Sequence, residues 1–351
     1  MLTRLLEIGG RIVGPGQPCF VIGEAGVNHN GNLEIARQLV DVAVQANTDA
    51  IKFQTFKAER LVTPNALKAD YQKQTTDAAE SQYNMLRRLE LSQEAHYELI
   101  TYCQNRGVLF ISTPFDEESA DFLDELGVAA FKIASGEITN PPFLAHVARK
   151  GKPMIVSTGM ACLGEVEMAV NAIWKAGNRD LILLHCVSNY PADPADVNLR
   201  AMHTLEVAFG MPVGYSDHTL GTEIALAAVA LGACVIEKHF TLDRGLPGPD
   251  HRASLEPDEL RALVRGIRTV EAALGHGRKE PAASEANTAT VARKSLVAAR
   301  DIPAGATLTG ELIAIKRPGT GLPPAMRAYL IGRTVRVSIP ADTVLALEML
   351  V

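Results

Sequence analysis

Short apolar runs recur along the first three quarters of the chain, and each is followed by a segment in which apolar residues return every three or four positions. The first pattern is typical of buried strands and the second of amphipathic helices. The strand-like runs are 20–23, 50–54, 108–112, 130–134, 153–158, 181–186, 213–216 and 235–239. The helical segments begin near Asn32, Gln93, Asp116, Pro141, Gly164, Asn198, Gly221 and Glu256.

Eight alternating βα units predict an α/β fold, a (β/α)₈ or TIM barrel. The alternative is a doubly wound open sheet, but no G-x-G-x-x-G motif follows the first strand. In a barrel the active site is built at the carboxyl ends of the strands and in the loops after them. We therefore expect the functional residues at those positions.

Two further regions interrupt or follow this pattern. The insertion 57–91 is longer than a usual βα loop and contains Tyr71 and Tyr83. It is interpreted either as a lid over the site or as a packing element on the barrel rim. The composition predicts a barrel domain over 1–274, a linker over 275–293 and a small, mostly β domain over 294–351.

Composition narrows the class of protein. The chain has 351 residues, 47% hydrophobic and 21% charged, with a net charge of −6, which argues against nucleic acid as a partner. Its five cysteines are scattered without a C-x-x-C pair, which fits a reducing cytoplasm. Its longest apolar run is too short to span a membrane, and no signal peptide is expected.

Two histidines are candidates for a metal site. His218 and His239 stand at the polar ends of two successive strand-like runs with a helical segment between them. A parallel βαβ unit would bring both to the same end of the barrel, where neutral imidazoles can bind a divalent ion. The alternative is that they are hydrogen-bonded core histidines.

Lysines inside apolar strands are candidates for an anion site. Lys52 and Lys132 are costly to bury unless they meet an anion, and the hydroxyls of Ser135, Ser157 and Ser216 would add directional donors. The alternative is that the lysines extend to water at the strand ends. Nearby carboxylates, above all Glu24, could move protons, although Glu24 could instead cap the following loop.

Several motifs taken in order resemble the sialic acid synthase family. They are the runs 23–31 (GEAGVNHNG), 52–54 (KFQ), 132–137 (KIASGE), 157–160 (STGM), 214–218 (GYSDH) and 237–241 (EKHFT). The run 315–321 (IKRPGTG) resembles the antifreeze-like domain, also called SAF or β-clip, of that family. The resemblance covers essentially the whole chain.

The resemblance implies an N-acetylneuraminate synthase, which condenses phosphoenolpyruvate with N-acetylmannosamine to give a nine-carbon 2-keto acid and phosphate. An alternative within the family is a legionaminate or pseudaminate synthase, whose acceptor is a 6-deoxy diacetamido hexose. A different class is a carbohydrate- or ice-binding protein on an inactive barrel. The retention of Glu24, Lys52, Lys132, His218 and His239 argues against that class.

The resemblance also implies roles for individual residues. His218 and His239 would hold a divalent ion, usually Mn²⁺, with Mg²⁺ or Co²⁺ as alternatives. The residues expected to bind phosphoenolpyruvate are Lys52, Lys132, Ser135, Ser157, Ser188, Tyr190 and Ser216. Those expected to face the sugar are Gln54, Glu137, Asp250 and Arg317. Those expected to act in catalysis are Glu24, Lys52, Glu137 and Asp250.

Two expectations concern a departure and a partner. Many members of the family have Asn where this chain has Ser188, so Ser188 or the next residue, Asn189, is expected to replace it. In relatives the small domain crosses to the barrel of a second copy, where the arginine matching Arg317 reaches the N-acyl group of the sugar. The resemblance therefore implies a domain-swapped homodimer, whereas the residue by itself indicates only an exposed turn charge.

Overall fold

The computed structural model describes residues 4–77 and 79–351. Residues 1–3, within the predicted barrel domain, and Ala78, within the predicted lid, lie outside the described residues. The strands are β1 (Leu6–Ile8), β2 (Arg11–Val13), β3 (Phe20–Gly26), β4 (Ala50–Thr55), β5 (Leu109–Pro114), β6 (Phe131–Ile133), β7 (Met154–Ser157), β8 (Leu181–Cys186), β9 (Val213–Asp217), β10 (Val235–His239), β11 (Ser295–Ala298) and β12 (Ile313–Lys316).

The α-helices lie between and after these strands. They are α1 (Leu33–Gln45), α2 (Ala58–Leu61), α3 (Asp70–Thr75), α4 (Gln82–Leu89), α5 (Gln93–Arg106), α6 (Glu117–Leu126), α7 (Pro141–Ala148), α8 (Leu163–Lys175), α9 (Ala201–Phe209), α10 (Glu223–Ala230), α11 (Pro257–Leu274), α12 (Ala286–Ala292) and α13 (Arg327–Leu330).

Strands β3 to β10 form one closed parallel barrel. Each pairs with its neighbours in chain order, and β10 closes the barrel on β3, with His239 opposite Glu24. All eight predicted strands are present, so the predicted TIM barrel is confirmed and the open sheet is excluded. Because the strands are parallel, their carboxyl ends lie at one end of the barrel.

Capping residues start the barrel helices where the sequence predicts. The side chain of Asn32 accepts hydrogen bonds from the backbone N–H groups of Glu34 and Ile35. Ser92 and Asp116 cap α5 and α6 in the same way. A cap satisfies N–H groups that have no partner within the helix, which is why these residues mark helix starts.

A short hairpin that the sequence analysis did not predict lies at the amino-terminal side of the barrel. Strands β1 and β2 pair antiparallel. Leu6, Ile8 and Val13 are buried in one apolar cluster with inward-facing strand residues such as Phe20 and Ile155. The hairpin therefore covers the amino-terminal end of the barrel interior, which leaves the carboxyl end as the open one. Strands of three residues around Gly9 and Gly10 carry too little periodicity to be predicted.

The insertion between β4 and α5 folds into three short helices, α2, α3 and α4. Met85 and Leu89 of α4 are buried in an apolar cluster with Val27 and Phe56 of the barrel loops. The insertion is thus packed on the barrel rim, as one prediction held. It also lines the cavity described below, which agrees with a role in the site, while its action as a lid stays a prediction.

A buried lysine joins the two ends of the segment that contains α3. Lys68 is 5% exposed and donates hydrogen bonds to Thr76 Oγ1 at 2.9 Å and to the carbonyl oxygen of Asp77 at 2.8 Å. Its ammonium also lies 3.3 Å from Glu80 Oε2. Three polar partners compensate the cost of burying this charge. The network holds α3 in place within the insertion.

The chain divides into two compact units, of which the first ends at Gly275 and the second runs from His276 to Val351. The second unit has its own apolar core, which includes Leu296, Ile302 and Val335. Strands β11 and β12 pair antiparallel, while Thr334, Val335 and Val344 form only isolated bridges. The segment predicted as a linker contains the short helix α12. No helix in the described part of the chain is long and apolar enough to cross a membrane.

Candidate active site

A cavity of about 360 Å³ opens at the carboxyl ends of the barrel strands. This volume is typical of sites for small molecules. Its lining includes most of the residues singled out from the sequence, namely Glu24, Lys52, Gln54, Lys132, Ser135, Ser157, Ser188, Tyr190, Ser216, His218, His239 and Asp250. The insertion adds a wall to the same cavity.

The floor of the cavity is a buried cluster of opposite charges. The Oε1 atom of Glu237 lies 3.8 Å from Lys52 Nζ and 3.5 Å from Lys132 Nζ. Lys52 also pairs with Glu24 at 2.8 Å. All four side chains are at most 4% exposed. Alternate residues of a strand face the same side, so β4, β6 and β10 each direct one charge into the barrel.

Hydroxyl groups surround these charges. Lys132 Nζ donates to Ser157 Oγ at 2.8 Å, and Lys52 Nζ donates to Thr113 Oγ1 at 3.1 Å. Ser216 Oγ donates to Glu237 Oε1 at 3.1 Å. An anion entering here would meet two ammonium groups and several hydroxyls that can reorient, which is the chemistry of a phosphate or carboxylate site.

Burial and charge shift the pKa values of the cluster in different directions. Burial lowers the pKa of Lys132. Burial opposes the charged form of Lys52 as well, but Glu237 and Glu24 outweigh it and raise the pKa of that lysine. Although burial favours its neutral form, the two lysines hold the pKa of Glu237 below its usual range. The Lys52 and Glu237 charges thus stabilise one another.

Two other carboxyl groups of the cavity titrate nearer to neutrality. Burial raises the pKa of Glu24 to about 7, against the opposing effect of Lys52. Burial raises the pKa of Asp250 to about 6. Gln54 Nε2 donates to Glu24 Oε1 at 3.3 Å and orients that carboxyl group. A carboxyl group with a pKa near the working pH can both donate and accept a proton, which makes Glu24 a candidate general acid or base.

The two predicted histidines lie side by side in the cavity wall, with ring centroids 5.6 Å apart. Burial lowers the pKa of His218 to about 4 and lowers that of His239 well below its usual range, so both imidazoles are neutral near pH 7. His218 Nδ1 is 2.6 Å from the carbonyl oxygen of Val187, which it reaches as a donor, leaving the lone pair on Nε2.

The donor chemistry of this pair, two neutral imidazoles, is compatible with a divalent ion. His239 Nδ1 is buried without a hydrogen-bond partner among the described residues. Within 4–77 and 79–351, no group of three or more His, Cys, Asp or Glu side chains is gathered in a metal-binding arrangement. The histidines would therefore supply two ligands and leave other coordination positions for substrate. Tyr190 covers them, with its ring 4.2 Å from that of His218 and 5.5 Å from that of His239.

Residues next to these in sequence face the other side of the barrel wall. Lys238 and Asp217 form an ion pair at 2.7 Å with both side chains 0% exposed. Lys238 also donates to the carbonyl oxygen of Thr219. Neither residue lines the cavity. This ion pair links β9 to β10. Because side chains alternate along a strand, it lies on the opposite face from the charged residues of the cavity.

Ser188 lines the cavity, whereas Asn189 is exposed and is not part of the lining. Gly159 makes this approach possible. A Cβ atom on Gly159 would lie 2.3 Å from Ser188 Oγ and 2.8 Å from Ser135 Oγ. The Gly159 backbone N–H instead donates to Ser135 Oγ at 3.0 Å. A side chain at this position would push both serines out of the cavity.

Two residues expected in the site are not in this cavity lining. Glu137 was expected to face the sugar, but it lies in a short 3₁₀ turn, Ser135–Glu137, and accepts a hydrogen bond from Asn140 Nδ2 at 2.8 Å. Ser135 lines the cavity, and Glu137, two positions later in the same turn, does not. Arg317 lies in the second unit, directly after β12, and is exposed.

The sequence analysis missed Glu237, Gln72 and Gln82 as site residues. Glu237 stands two positions before His239, so the alternation of a strand places both on one face. That signal was present in the sequence. The two glutamines had no such signal, because they belong to short helices of the insertion.

Comparisons with known proteins identify the family of this chain. A model of the NeuB family matches residues 39–279, and a model of the SAF domain matches residues 293–351. The N,N'-diacetyllegionaminic acid synthase of Legionella pneumophila is 48% identical over 339 residues, which cover 95% of this chain and 95% of that protein. The N-acetylneuraminate-9-phosphate synthase of Mus musculus is 40% identical over 336 residues, which cover 95% and 93%.

A solved structure gives the same result. The N-acetylneuraminic acid synthetase of Leptospira borgpetersenii is 40% identical, has a TM-score of 0.73, and covers 82% of this chain and 95% of its own. The resemblance found in the sequence is confirmed over both domains. The chain therefore belongs to the NeuB family of phosphoenolpyruvate-dependent, sialic acid-type synthases and carries a SAF domain.

Proposed function

We propose that this protein condenses phosphoenolpyruvate with a 2,4-diacetamido-2,4,6-trideoxy hexose to give an N,N'-diacetyllegionaminate-type acid and phosphate. The sequence analysis preferred N-acetylmannosamine as the acceptor and kept this sugar as an alternative. The alternative has better support, because identity is 48% to two diacetyllegionaminic acid synthases, against 40% to the mouse N-acetylneuraminate-9-phosphate synthase.

The observation that carries the proposal is the buried cluster of Lys52, Lys132 and Glu237 beside two neutral histidines. The lysines would hold the phosphate and carboxylate of phosphoenolpyruvate, with Ser135, Ser157, Ser188, Tyr190 and Ser216 as further contacts. Glu237 favours the charged form of both lysines and holds them in place before the anion arrives. The site is then preorganised for a charged donor.

Proton movement is assigned to the carboxyl groups with raised pKa values. The reaction forms a bond between C3 of phosphoenolpyruvate and the aldehyde carbon, adds water at C2 and breaks the bond from C2 to the phosphate oxygen. One proton of the water balances the proton gained by the aldehyde oxygen, and the other leaves with the phosphate as C2 becomes a ketone. Glu24, with a pKa of about 7, is positioned by Gln54 and Lys52 to exchange a proton in this sequence. Asp250 and Gln54 would face the sugar.

His218 and His239 would hold a divalent ion, with Mn²⁺ first and Mg²⁺ or Co²⁺ as alternatives. Such an ion supplies Lewis-acid polarisation of the sugar aldehyde. The chain's own part is to keep both imidazoles neutral by burial, to fix His218 through Val187, and to exclude water with the Tyr190 ring.

The working unit is proposed to be a homodimer in which Arg317 serves the barrel of the second copy. The resemblance of 315–321 to the family motif supports this. Mixing a Lys132→Met chain with an Arg317→Ala chain tests it. Recovery of activity in the mixture is expected, because a swapped dimer then holds one intact site. Two inactive chains that stay inactive in a verified heterodimer contradict the swap.

Phosphate release from phosphoenolpyruvate tests the reaction. Turnover is expected with Mn²⁺ and the 2,4-diacetamido sugar, should fall on addition of a chelator, and should be weaker with N-acetylmannosamine. The absence of phosphate release with either sugar in the presence of Mn²⁺ would refute the proposed reaction. Faster turnover with N-acetylmannosamine would instead support the acceptor that the sequence analysis preferred.

A further inference from the structure

The insertion contributes two side-chain amides to the cavity wall. Gln72 of α3 and Gln82 of α4 both line the cavity, and Gln82 Nε2 donates to Gln72 Oε1 at 3.4 Å. Gln72 Oε1 also accepts from the backbone N–H of Ala69 at 3.0 Å. An N–H donor of the backbone identifies the oxygen of the Gln72 amide, which in turn defines the orientation of the Gln82 amide.

These bonds leave complementary groups for a ligand. The carbonyl oxygen of Gln72 is used twice, so what this residue can still offer is its NH₂ group, beside the Tyr71 hydroxyl. One N–H of the Gln82 NH₂ group is used, so this residue still offers its carbonyl oxygen and its second N–H. One donor and one acceptor, next to each other, match the C=O and N–H of a secondary amide.

The surroundings of the amide pair are apolar. Met85, Leu86 and Leu89 of α4 and Val27 of the barrel also line the cavity. Met85 and Leu89 belong to the buried cluster on the barrel rim. When a ligand binds, an amide in such a wall loses its water, and this costs free energy unless the ligand gives it a hydrogen bond. The wall therefore favours a ligand that bonds to both amides over one that bonds to neither.

The cavity therefore has two ends of different chemistry. The barrel floor contains charged groups that suit a phosphate and a carboxylate. The wall formed by the insertion contains an amide pair among aliphatic side chains. A sugar with an acetamido group and a neighbouring methyl group fits the second end better than one with hydroxyls at both positions.

We propose that Gln82 and Gln72 recognise the acetamido group at C4 of the acceptor sugar, while Leu86 and Leu89 contact its C6 methyl group. These residues determine which acceptor the enzyme prefers. The inference rests on the proposed function, since it assigns a specificity element within the same site.

Three acceptors that differ by one group at a time provide the test. The 2,4-diacetamido-2,4,6-trideoxy and 2-acetamido-2,6-dideoxy sugars differ only at C4, and the latter differs from N-acetylmannosamine only at C6. For the wild-type enzyme we expect kcat/KM to be at least about tenfold higher with the C4 acetamido sugar, as one or two hydrogen bonds imply. A smaller preference, of about threefold or more, is expected for the C6 methyl group.

The Gln82→Met variant removes the acceptor oxygen at nearly constant volume, and we expect it to reduce the C4 preference to about threefold or less. Arg87→Met is the matched control, because Arg87 is an exposed residue of the same helix that does not line the cavity. It should keep the wild-type ratio. Ratios between sugars are measured on one preparation, so a lower fraction of folded enzyme does not change them.

The outcomes separate the inference from the proposed function. A wild-type enzyme that uses the sugars without preference at C4 overturns the inference with no variant needed. So does a preference that Gln82→Met leaves unchanged. A wild-type enzyme that releases no phosphate with any of the three sugars overturns the proposed function and, with it, the inference.

Discussion

Replacing Glu237 by glutamine is expected to destabilise the protein and to make its stability depend strongly on phosphate. The change keeps the shape of the side chain and removes its charge. Lys52 retains Glu24 as a partner at 2.8 Å, but Lys132 loses the carboxylate 3.5 Å from its ammonium. An ammonium group that is 3% exposed is then left without a counter-charge.

The size of the effect follows from the distances. At an effective dielectric constant of about 20, charges 3.5 to 3.8 Å apart attract by roughly 4 to 5 kcal/mol. Burying a neutral amide costs less hydration free energy than burying a carboxylate. This difference offsets several kcal/mol of the lost attraction. We therefore expect a net loss of about 3 kcal/mol in the free energy of unfolding, near the lower end for a broken buried pair.

Urea unfolding followed by tryptophan fluorescence measures this loss. Trp174 is the only tryptophan of the chain and lies in α8, packed against the barrel core, so it reports on the first unit. Titration with inorganic phosphate should then recover at least about 1.4 kcal/mol more in Glu237→Gln than in the wild type. That difference corresponds to a tenfold tighter binding of the anion.

Asp217→Asn is the matched control. It breaks the ion pair with Lys238, which is fully buried on the other face of the neighbouring strands, away from the cavity. It should lose a similar free energy of unfolding, and its response to phosphate should equal that of the wild type. If Glu237→Gln is as stable as the wild type, or if both variants respond to phosphate equally, the assignment of the charge cluster as an anion site is wrong.

Three further predictions concern other parts of the site. His239→Ala should weaken Mn²⁺ binding, measured by calorimetry without substrates, by at least about tenfold because one of two imidazole ligands is lost; unchanged affinity would place the ion elsewhere. Burial raises the pKa of Asp250 from 3.8 to about 6, so its contribution to stability is complete below about pH 3.8 and is lost as the pH rises through about 6. With a chelator present, the unfolding free energy of Asp250→Asn should therefore fall less than that of the wild type between pH 4 and about 7. Parallel plots of unfolding free energy against pH would contradict the raised pKa. Lys68→Met should raise KM for the sugar about tenfold with a smaller change in kcat, because α3 loses its internal tie, while Lys73→Met, on the exposed side of α3, should not; equal values for both variants would remove Lys68 from this role.

The sequence by itself determined the barrel fold and the end of the barrel at which the site lies. Eight apolar runs with helical segments between them are enough to predict this fold. Parallel strands are buried on both faces, and each helical crossover returns the chain to the same edge of the sheet. The positions of Lys52, Lys132, His218 and His239 followed directly, since strand ends of a parallel barrel meet at one side. These residues were found without any knowledge of distances.

Only the tertiary structure decided which charges meet. Glu237 and Lys238 are consecutive residues in a buried strand. Alternation with His239 indicates that Glu237 faces the cavity, but it does not indicate which charge either residue meets. Their partners, Lys132 and Asp217, are on different strands. Which residues of neighbouring strands lie opposite one another depends on the register of the closed barrel, and the apolar pattern of a strand buried on both faces does not determine that register.

The insertion was least determined by sequence. Its short helices α3 and α4 have few turns, so their orientation depends on packing against Val27 and Phe56 and on the Lys68 network rather than on local propensity. The same packing brings Gln72 and Gln82 into contact. The sequence thus determined the fold and the lysines of the cavity floor, whereas the wall expected to select the sugar exists only once the insertion has packed on the barrel.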